Sequence, residues 1–235
     1  MPYPLLRIEG VRECTVISRI NKFVVKVKID NDTSKAYLNN TGRLLDYIAR
    51  DRIGYCIRVH GRKLNYRLIA VGDHELGAIL DTQLQEKSFE YTVNRNYIPW
   101  LIDCHVLRRN IRLGSSIIDY LLECNSNSIL LEIKSAVLRK NKYIALYPDC
   151  PSLRGRKQVK SLITHVLGGG KAILLFIAAM PYVKAFTINR EVDNTLYELV
   201  VNAVKLGVKL RALSIYYDPK DNTVYLDNPE LDVII

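Results

Sequence analysis

Two stretches, residues 115–124 (SSIIDYLLEC) and residues 128–135 (SILLEIKS), decide the fold of this chain. Each is an apolar run of strand length with charged residues inside it, and a short polar segment separates them, so we predict two neighbouring strands. Side chains alternate between the two faces of a strand, so Glu132 and Lys134 point the same way while Ile133 points oppositely. Asp119 on the neighbouring strand can meet them. The spacing therefore predicts two carboxylates and an ammonium on one patch of a sheet.

Such a charged patch is costly to hold unless something compensates its charge. A divalent cation does so, and Mg²⁺ favours one or two carboxylates together with substrate phosphates. The layout is that of a PD-(D/E)xK metal-dependent nuclease core, with Asp119, Glu132 and Lys134 as catalytic candidates and the two acids as ligands of Mg²⁺ or Mn²⁺. Asp149, in a Pro-Asp turn, is a further candidate ligand or a support for the site, or else a plain turn residue. Because Asp-x(12)-Glu-x-Lys is a loose pattern, a surface hairpin with an ordinary Glu–Lys pair stays open.

The composition is that of a globular chain, with 235 residues, 49% of them hydrophobic and 25% charged. This length suits one large domain or two small ones and is enough to bury a core. No apolar run is long enough to span a bilayer, and the N-terminus lacks the features of a secretion signal, so we expect a cytoplasmic protein with no membrane partner. The five scattered cysteines, never at CxxC spacing, predict reduced, mostly buried thiols and no zinc site or disulfide framework.

The charge distribution favours a polyanionic partner. The net charge is +10 and the pI is near 9.3. Between residues 133 and 190 there are eleven Lys or Arg and a single acid, Asp149. This asymmetry predicts DNA binding through phosphates, although a solvated basic face is the alternative. The candidate DNA-binding residues of this stretch open a predicted helix and are Arg154, Gly155, Arg156, Lys157 and Lys160.

Residues 1–74 have the pattern of a small barrel. Strands are predicted at 12–20, 22–30, 35–38, 55–60 and 66–71, with a short helix at 42–50. About five strands in so short a segment are typical of an OB-fold. Such barrels commonly bind nucleic acid through aromatic residues on a basic face, and the candidates here are Tyr37, Tyr66, Arg62 and Arg67. The tyrosines are equally compatible with positions in the barrel core.

Residues 75–235 alternate strands and helices, which indicates an α/β sheet with helices on its faces. Helices are predicted at 75–90, 154–167 and 193–206, and further strands at 171–179 and 208–217. The predicted fold class is therefore α/β with a small β-barrel: an N-terminal OB-fold-like domain, residues 1–74, followed by a PD-(D/E)xK nuclease-like domain, residues 75–235.

Four groups of residues, in order along about 170 residues, resemble the sugar fermentation stimulation protein (SfsA) family. They are Asn40-Thr41-Gly42; residues 117–122 with Glu132-Ile133-Lys134-Ser135; Tyr147-Pro148-Asp149-Cys150 with residues 154–158; and Phe186, Asp193 and Tyr197 with Gly207-Val208. The resemblance implies an OB-like domain, a PD-(D/E)xK nuclease-like domain and DNA binding without marked sequence preference. The family has been linked to the regulation of sugar utilisation.

The chain departs from the family pattern at three positions. The Arg before the family's Asp is Ile117, the usual Lys-His is Lys157-Gln158, and a Glu often found about eleven residues before Asp119 falls near Arg108. The loss of that third acid bears on metal binding and catalysis. Glu86 and Glu90, on the preceding helix, are the candidates to replace it.

Two functions fit these observations. In the first, a cation on Asp119 and Glu132 polarises a scissile phosphate, and Lys134 orients the attacking water or stabilises the developing charge. In the second, the protein is a non-catalytic DNA-binding regulator of sugar metabolism genes that needs the basic surfaces but no metal. A sugar-binding enzyme finds little support, because Trp100 is the single tryptophan. The oligomeric state stays open, and a homodimer is compatible with the sequence.

Overall fold

A computed structural model describes residues 2–60 and 64–235. The N-terminal part of the described chain consists of strands alone. They are β1 (Tyr3–Arg7), β2 (Val11–Asn21), β3 (Val24–Ile29), β4 (Asp32–Leu38), β5 (Ile53–Arg58), β6 (Tyr66–Asp73) and β7 (Leu76–Ile79).

Five of these strands close into a barrel. Antiparallel pairing joins β4 to β3, β3 to β2, β2 to β5 and β5 to β6, and the parallel pair β4–β6 completes the ring. The burial pattern of β3 distinguishes the interior of the barrel from its surface. Val25, Val27 and Ile29 are buried, while Lys26 and Lys28 between them are exposed. The predicted small barrel is therefore present.

The second half is a mixed α/β unit. Its elements are α1 (Thr82–Asn94), a 3₁₀ turn (Pro99–Leu101), β8 (Cys104–Leu113), β9 (Ser116–Cys124), β10 (Asn127–Ala136), β11 (Leu138–Lys140), β12 (Ile144–Tyr147), α2 (Leu153–Leu167), β13 (Lys171–Ala178), β14 (Ala185–Ile188), α3 (Asn194–Lys205), β15 (Lys209–Asp218), β16 (Thr223–Asn228) and β17 (Asp232–Ile234). No helix in the described ranges is long and apolar enough to cross a membrane.

Parallel pairing of β10, β13 and β15 forms the centre of this unit, and β9 and β8 extend it with antiparallel pairs. From Ala172 to its end, β13 is buried, as expected of a parallel strand covered on both faces. Helix α2 packs against β13, β9 and α3. A smaller sheet in the order β11-β12-β14-β17 lies beside the main one.

The main sheet runs continuously between the two halves. Strand β7 pairs with β6 of the barrel and with β15 of the second half, and β1 pairs with β16. The N-terminal strand is therefore bonded to the second half and is not a barrel strand. A domain boundary at residues 74 and 75 stays a proposal, and it would fall just before the strand that joins the halves.

Two predicted helices differ from the structure. Residues 42–50 form turns, and Leu44 has a positive φ of 54°, which interrupts a helix. Residues 76–79 are β7, and the helix begins only at Thr82, after Asp81, whose carboxylate accepts a hydrogen bond from Leu84 N (2.8 Å). The aspartate is the helix N-cap, so the apolar residues before it continue a buried strand.

The expectation of wholly reduced cysteines is wrong for one pair. Cys104 and Cys124 form a disulfide. They face each other directly on β8 and β9, with Cα atoms 4.1 Å apart. Twenty residues separate them in sequence, so only the register of the two strands brings them together. Cys14 and Cys56 are buried thiols in the barrel, as expected.

Candidate functional site

A cleft of about 360 Å³ lies where the barrel meets the second half. The barrel contributes Phe23 and the segment from Asn39 to Leu44. The second half contributes α1, the strands β9 and β10, the turn after β12 and the start of α2. Asp119, Glu132 and Lys134 all line this cleft. The structure therefore brings the three predicted catalytic side chains into one cavity with residues from both halves.

The two acids meet where the β9–β10 ladder ends. Regular pairing stops at Leu131 opposite Tyr120. Beyond that point, Asp119 Oδ2 accepts a hydrogen bond from Ile133 N (2.7 Å), and Asp119 N donates to Glu132 Oε2 (3.2 Å). Each carboxylate thus accepts a hydrogen bond from a backbone N–H of the other strand, in place of the missing ladder bonds. This exchange fixes both carboxylates at the splayed end of the strand pair.

Lys134 is held by two acceptors. Its Nζ lies 2.5 Å from Glu132 Oε1 and 2.7 Å from Gln158 Oε1. Gln158, on α2, is oriented in turn because its Nε2 donates to Ile117 O (2.8 Å). An ammonium has three N–H groups, so one remains for another acceptor in the cleft. Gln158 stands where the family carries His, and it supplies an acceptor from the same helix position.

Burial and mutual repulsion govern the protonation of the acids. Burial raises the pKa of Asp119, although the Ile133 N–H and the Lys134 ammonium oppose the rise. Burial also raises the pKa of Glu132 to about 7, against the opposing effect of Lys134 and with a smaller contribution from Asp119. Burial alone would lower the pKa of Lys134, but Glu132, Tyr147 and Asp119 together outweigh it, and the pKa is raised. The lysine stays charged while the carboxylates are short of compensating positive charge.

A third acid reaches the cleft from α1. Glu86 lines the cavity, and burial together with Asp119 and Glu90 raises its pKa to about 7. Glu90 is engaged elsewhere, because it accepts a hydrogen bond from the Tyr120 hydroxyl (2.8 Å) and pairs with Arg109. Arg108 is exposed on β8, so the missing family acid is not replaced at that position. Of the two candidate substitutes, Glu86 is the one that faces the cleft.

The acidic side chains of the cleft suit a cation that takes only part of its coordination shell from the protein. Within residues 2–60 and 64–235, no three His, Cys, Asp or Glu side chains are grouped as a metal cage. Asp119 and Glu132 supply two desolvated carboxylates, and Mg²⁺ commonly binds through one or two carboxylates, water and phosphate. Two carboxylates beside an open cavity match that requirement.

Asp149 connects the two halves of the cleft. Its Oδ2 accepts a hydrogen bond from Leu44 N (2.9 Å) in the barrel segment. A Cβ on Gly42 would lie 2.6 Å from the same oxygen, so only glycine permits this approach. Arg19 also holds this segment, because its Nη1 donates to Gly42 O and Arg43 O, each at 2.6 Å. The observed contact of Asp149 is thus a bridge between loops at the edge of the cavity.

The predicted DNA-binding residues of α2 divide into two groups. Arg154, Lys157 and Lys160 are exposed, and Arg154 also lines the cleft. Arg156 instead points into the protein, where its Nε and Nη2 donate to Asp193 Oδ1 at 3.0 and 2.7 Å. This pair holds α2 to the start of α3, and phosphate binding by Arg156 stays a prediction.

Gly155 is buried beneath the first turn of α2, where its N–H donates to the Ser152 side chain (3.0 Å). An added Cβ would lie 2.7 Å from Ser152 Oγ and 3.1 Å from the Tyr147 hydroxyl. The glycine therefore serves close packing at the helix start.

The predicted barrel residues lie away from the cleft. Arg67 Nε is 2.9 Å from Asp81 Oδ2 but is not aligned for a hydrogen bond, and Arg67 Nη1 donates to Gln83 (2.9 Å). Tyr66 is half-buried against the barrel core, and the half-buried Tyr37 donates to Asn39 Oδ1 (3.3 Å). Arg62 lies outside the described residues. None of the three described side chains lines the cavity.

Phe23 is the aromatic residue of the barrel that lines the cleft, and no sequence motif indicated it. It lies in the turn between β2 and β3, and 45% of its surface is exposed. A lone Phe in a hairpin turn carries no local signal of function. Its significance depends on the barrel and β10 lining one cavity, which is a long-range property.

Comparisons with known proteins identify the family. Residues 17–80 match the model described as the SfsA N-terminal OB domain, and residues 83–221 match the sugar fermentation stimulation protein RE domain. A sugar fermentation stimulation protein homolog of Archaeoglobus fulgidus is 42% identical over 231 residues, covering 98% of this chain and 99% of that one. A Pyrococcus furiosus homolog is 39% identical over 221 residues, covering 94% and 96%.

A solved structure agrees with these matches. The structure of Pyrococcus furiosus SfsA in complex with Ca²⁺ has a TM-score of 0.95 and 37% identity, covering 99% of this chain and 100% of that one. The chain belongs to the sugar fermentation stimulation protein family. The family resemblance read from the motifs is confirmed, and so is the fold class of an OB barrel followed by an α/β nuclease-like domain.

Proposed function

We propose that this member of the sugar fermentation stimulation protein family binds DNA without sequence preference and hydrolyses phosphodiester bonds with Mg²⁺ or Mn²⁺. One observation carries the proposal: Asp119, Glu132 and Lys134 lie together, desolvated, at the splayed end of β9 and β10 inside an open cleft. Desolvated carboxylates with raised pKa values lower the stability of the fold, and such groups cluster at functional sites. This is the arrangement expected of a PD-(D/E)xK site.

Asp119 and Glu132 would hold the cation, with Glu86 as a further ligand or as a base for water. Asp149 keeps the cleft edge in place through Leu44, and as a direct ligand it ranks behind these three acids. A divalent cation at this position supplies Lewis acidity toward a phosphoryl oxygen and lowers the pKa of a bound water. The Pyrococcus furiosus relative was solved in complex with Ca²⁺, which supports a divalent-cation site in this family.

Lys134 would act on the reacting phosphate. Two of its three donors are occupied by Glu132 and Gln158, which leaves one N–H to bind a phosphate oxygen or orient the attacking water. Gln158 is the second acceptor that fixes the ammonium. A positioned charge of this kind needs no reorganisation when negative charge develops on the phosphate.

The first turns of α2 would guide the DNA backbone to the site. Arg154 lines the cleft, and Lys157 and Lys160 continue the exposed charge away from it. Arg can bind a phosphate bidentately, whereas Lys acts as a point charge. These contacts carry no base information, so they support binding without sequence preference.

A second candidate function is that of a non-catalytic DNA-binding regulator. It is favoured by the lack of a three-acid cage among the described side chains. In that case Lys134 neutralises Glu132, and the basic surfaces alone carry the function.

Calorimetry with Ca²⁺, Mg²⁺ and Mn²⁺ and cleavage of single-stranded, duplex and branched DNA separate the two candidates. We expect cation binding and cleavage in the wild type, and neither in Glu132→Ala. The matched control is Glu123→Ala, a half-buried acid near the end of β9 that lies outside the cleft and pairs with His105. Cation binding that survives Glu132→Ala, or cleavage equal in both variants, would reject the nuclease site. DNA binding without cation binding would favour the regulator.

A further inference from the structure

Phe23 presents an aromatic ring to the cavity that contains the acids. The ring is 45% exposed although it lines a cleft. The backbone on which it stands is fixed, because Phe23 N donates to Asn21 Oδ1 (2.9 Å) and Leu38 N donates to Phe23 O (2.8 Å). A fixed backbone with an unpacked ring is suited to receiving a flat partner.

Two polar atoms in the same cavity lack partners. Gln85 is 1% exposed, and its Nε2 donates to Ile79 O (2.8 Å). Its Oε1 and the hydroxyl of Ser135 are buried and form no hydrogen bond with any described residue. Both residues line the cleft with Phe23. Buried polar groups are normally satisfied, so unsatisfied ones in a functional cavity indicate an absent polar partner.

The cleft has the size of a small-ligand pocket. Its volume of about 360 Å³ lies at the lower end of the range of about 300–1,000 Å³ that such pockets have. The barrel segment held by Arg19 and Asp149 lines this cleft together with the acids. One nucleotide fits a cavity of this size, whereas a continuous duplex offers no free base face to stack on a side chain.

We propose that Phe23 stacks on an unpaired base, so that the cleft takes a single nucleotide of single-stranded DNA. Gln85 and Ser135 would satisfy polar groups of that nucleotide, and its phosphate would face Lys134. This inference rests on the proposed function and names its substrate class as unpaired DNA. The barrel would then contribute a stacking residue to the site of the second half, in addition to any strand it binds on its own surface.

The test compares DNA binding in EDTA, where no cleavage interferes. Fluorescence anisotropy measures the affinity for an oligo-dT strand and for a duplex closed by hairpins at both ends. We expect Phe23→Ala to weaken single-strand binding about 5- to 150-fold, the range for loss of one stacked base. Duplex binding should change less than about twofold, since no phosphate contact is removed. Phe23→Trp should retain single-strand affinity.

The matched control is Ile53→Ala, a barrel residue 49% exposed that does not line the cleft, and it should leave both affinities unchanged. A fluorescent adenine analogue in the strand reports stacking directly, and its quenching should be lost in Phe23→Leu and kept in Phe23→Trp. Equal weakening for strand and duplex, or unchanged affinity for both, would overturn the inference while DNA binding stands. A wild type that binds no DNA would overturn the proposed function as well.

Discussion

Replacing Glu86 by Gln tests whether the acid on α1 belongs to the charged site. Glu86 has no described salt-bridge partner, and burial, Asp119 and Glu90 together raise its pKa from an ordinary value of 4.5 to about 7. The folded protein therefore binds this proton more tightly than the unfolded chain does. The contribution of Glu86 to stability is accordingly largest below about pH 4.5, falls as the pH rises towards 7, and levels off above it.

The size of the effect follows from the difference between the two pKa values. A difference of about 2.5 corresponds to about 3 kcal/mol. Glu86 is partly exposed, and solvent screening reduces this to about 1–2 kcal/mol. Glu86→Gln removes the charge, so without a cation the variant should be more stable than the wild type by that amount above pH 7 and nearly equal to it in acid.

Urea unfolding in EDTA at about pH 5 and about pH 8 measures this difference. Glu191→Gln, at an exposed position outside the cleft, is the control and should leave the pH dependence unchanged. Adding Mn²⁺ should then stabilise the wild type more than the Gln variant, because a bound ligand stabilises only the state that binds it. Parallel pH profiles for wild type and Glu86→Gln would refute the electrostatic reasoning.

Three further outcomes are expected. Asp193→Ala should lower the free energy of unfolding by about 2–4 kcal/mol at neutral pH, because it breaks the pair with Arg156 and removes the N-cap of α3. Burial alone would raise the pKa of Asp193, but Arg156 and two backbone N–H groups lower it, so urea titrations should find the difference shrinking as the pH falls through that lowered pKa. Gln158→Leu should cost about 1–3 kcal/mol, since it leaves Ile117 O and one donor of Lys134 without partners, while Gln158→His should keep cleavage; a fully active Leu variant would remove Gln158 from the site. Lys157→Ala should reduce the slope of log K against log salt by about one unit for every DNA sequence, and an unchanged slope in a salt titration would exclude a phosphate contact there.

The strands and the acid pair were predictable because their signals are local. The alternation in β3 and the spacing of Glu132 and Lys134 follow from the two-residue period of a strand, and a short turn brings the strand of Asp119 beside them. The continuous apolar run of β13 likewise identifies a buried central strand. In each case the residue types that fold the segment are adjacent in sequence.

The errors occur where a distant residue decides the outcome. The segment 42–50 does not form a helix, because Arg19 takes the Gly42 and Arg43 carbonyls that a helix would use internally. DNA binding by Arg156 stays a prediction, but its ion pair with Asp193, 37 positions along the chain, was not predicted. Neither partner can be chosen from the sequence without knowing which elements pack together.

Long-range packing also decides which residues surround the acids of the site. Glu86 was one of two candidate acids, and the choice depends on Glu90 being engaged by Tyr120 and Arg109. Phe23 and Gln85 line the cavity of the acids only because the tertiary fold brings the barrel and α1 to it. Local patterns therefore identify the charged centre, and the tertiary fold determines what surrounds it.

The pairing of β7 with β15 has a consequence for the order in which the molecule can be completed during synthesis. Gly77 lies opposite Tyr217, so 140 residues must be added after β7 before its second partner exists. At about 5–20 residues per second, the ribosome leaves that strand edge open for roughly 7–28 s. Strand β1 waits even longer for β16. An unpaired strand edge can pair with other chains, so aggregation is most favoured while the nascent barrel lacks β15 and β16. Synthesis of these last strands covers the open edges of β7 and β1.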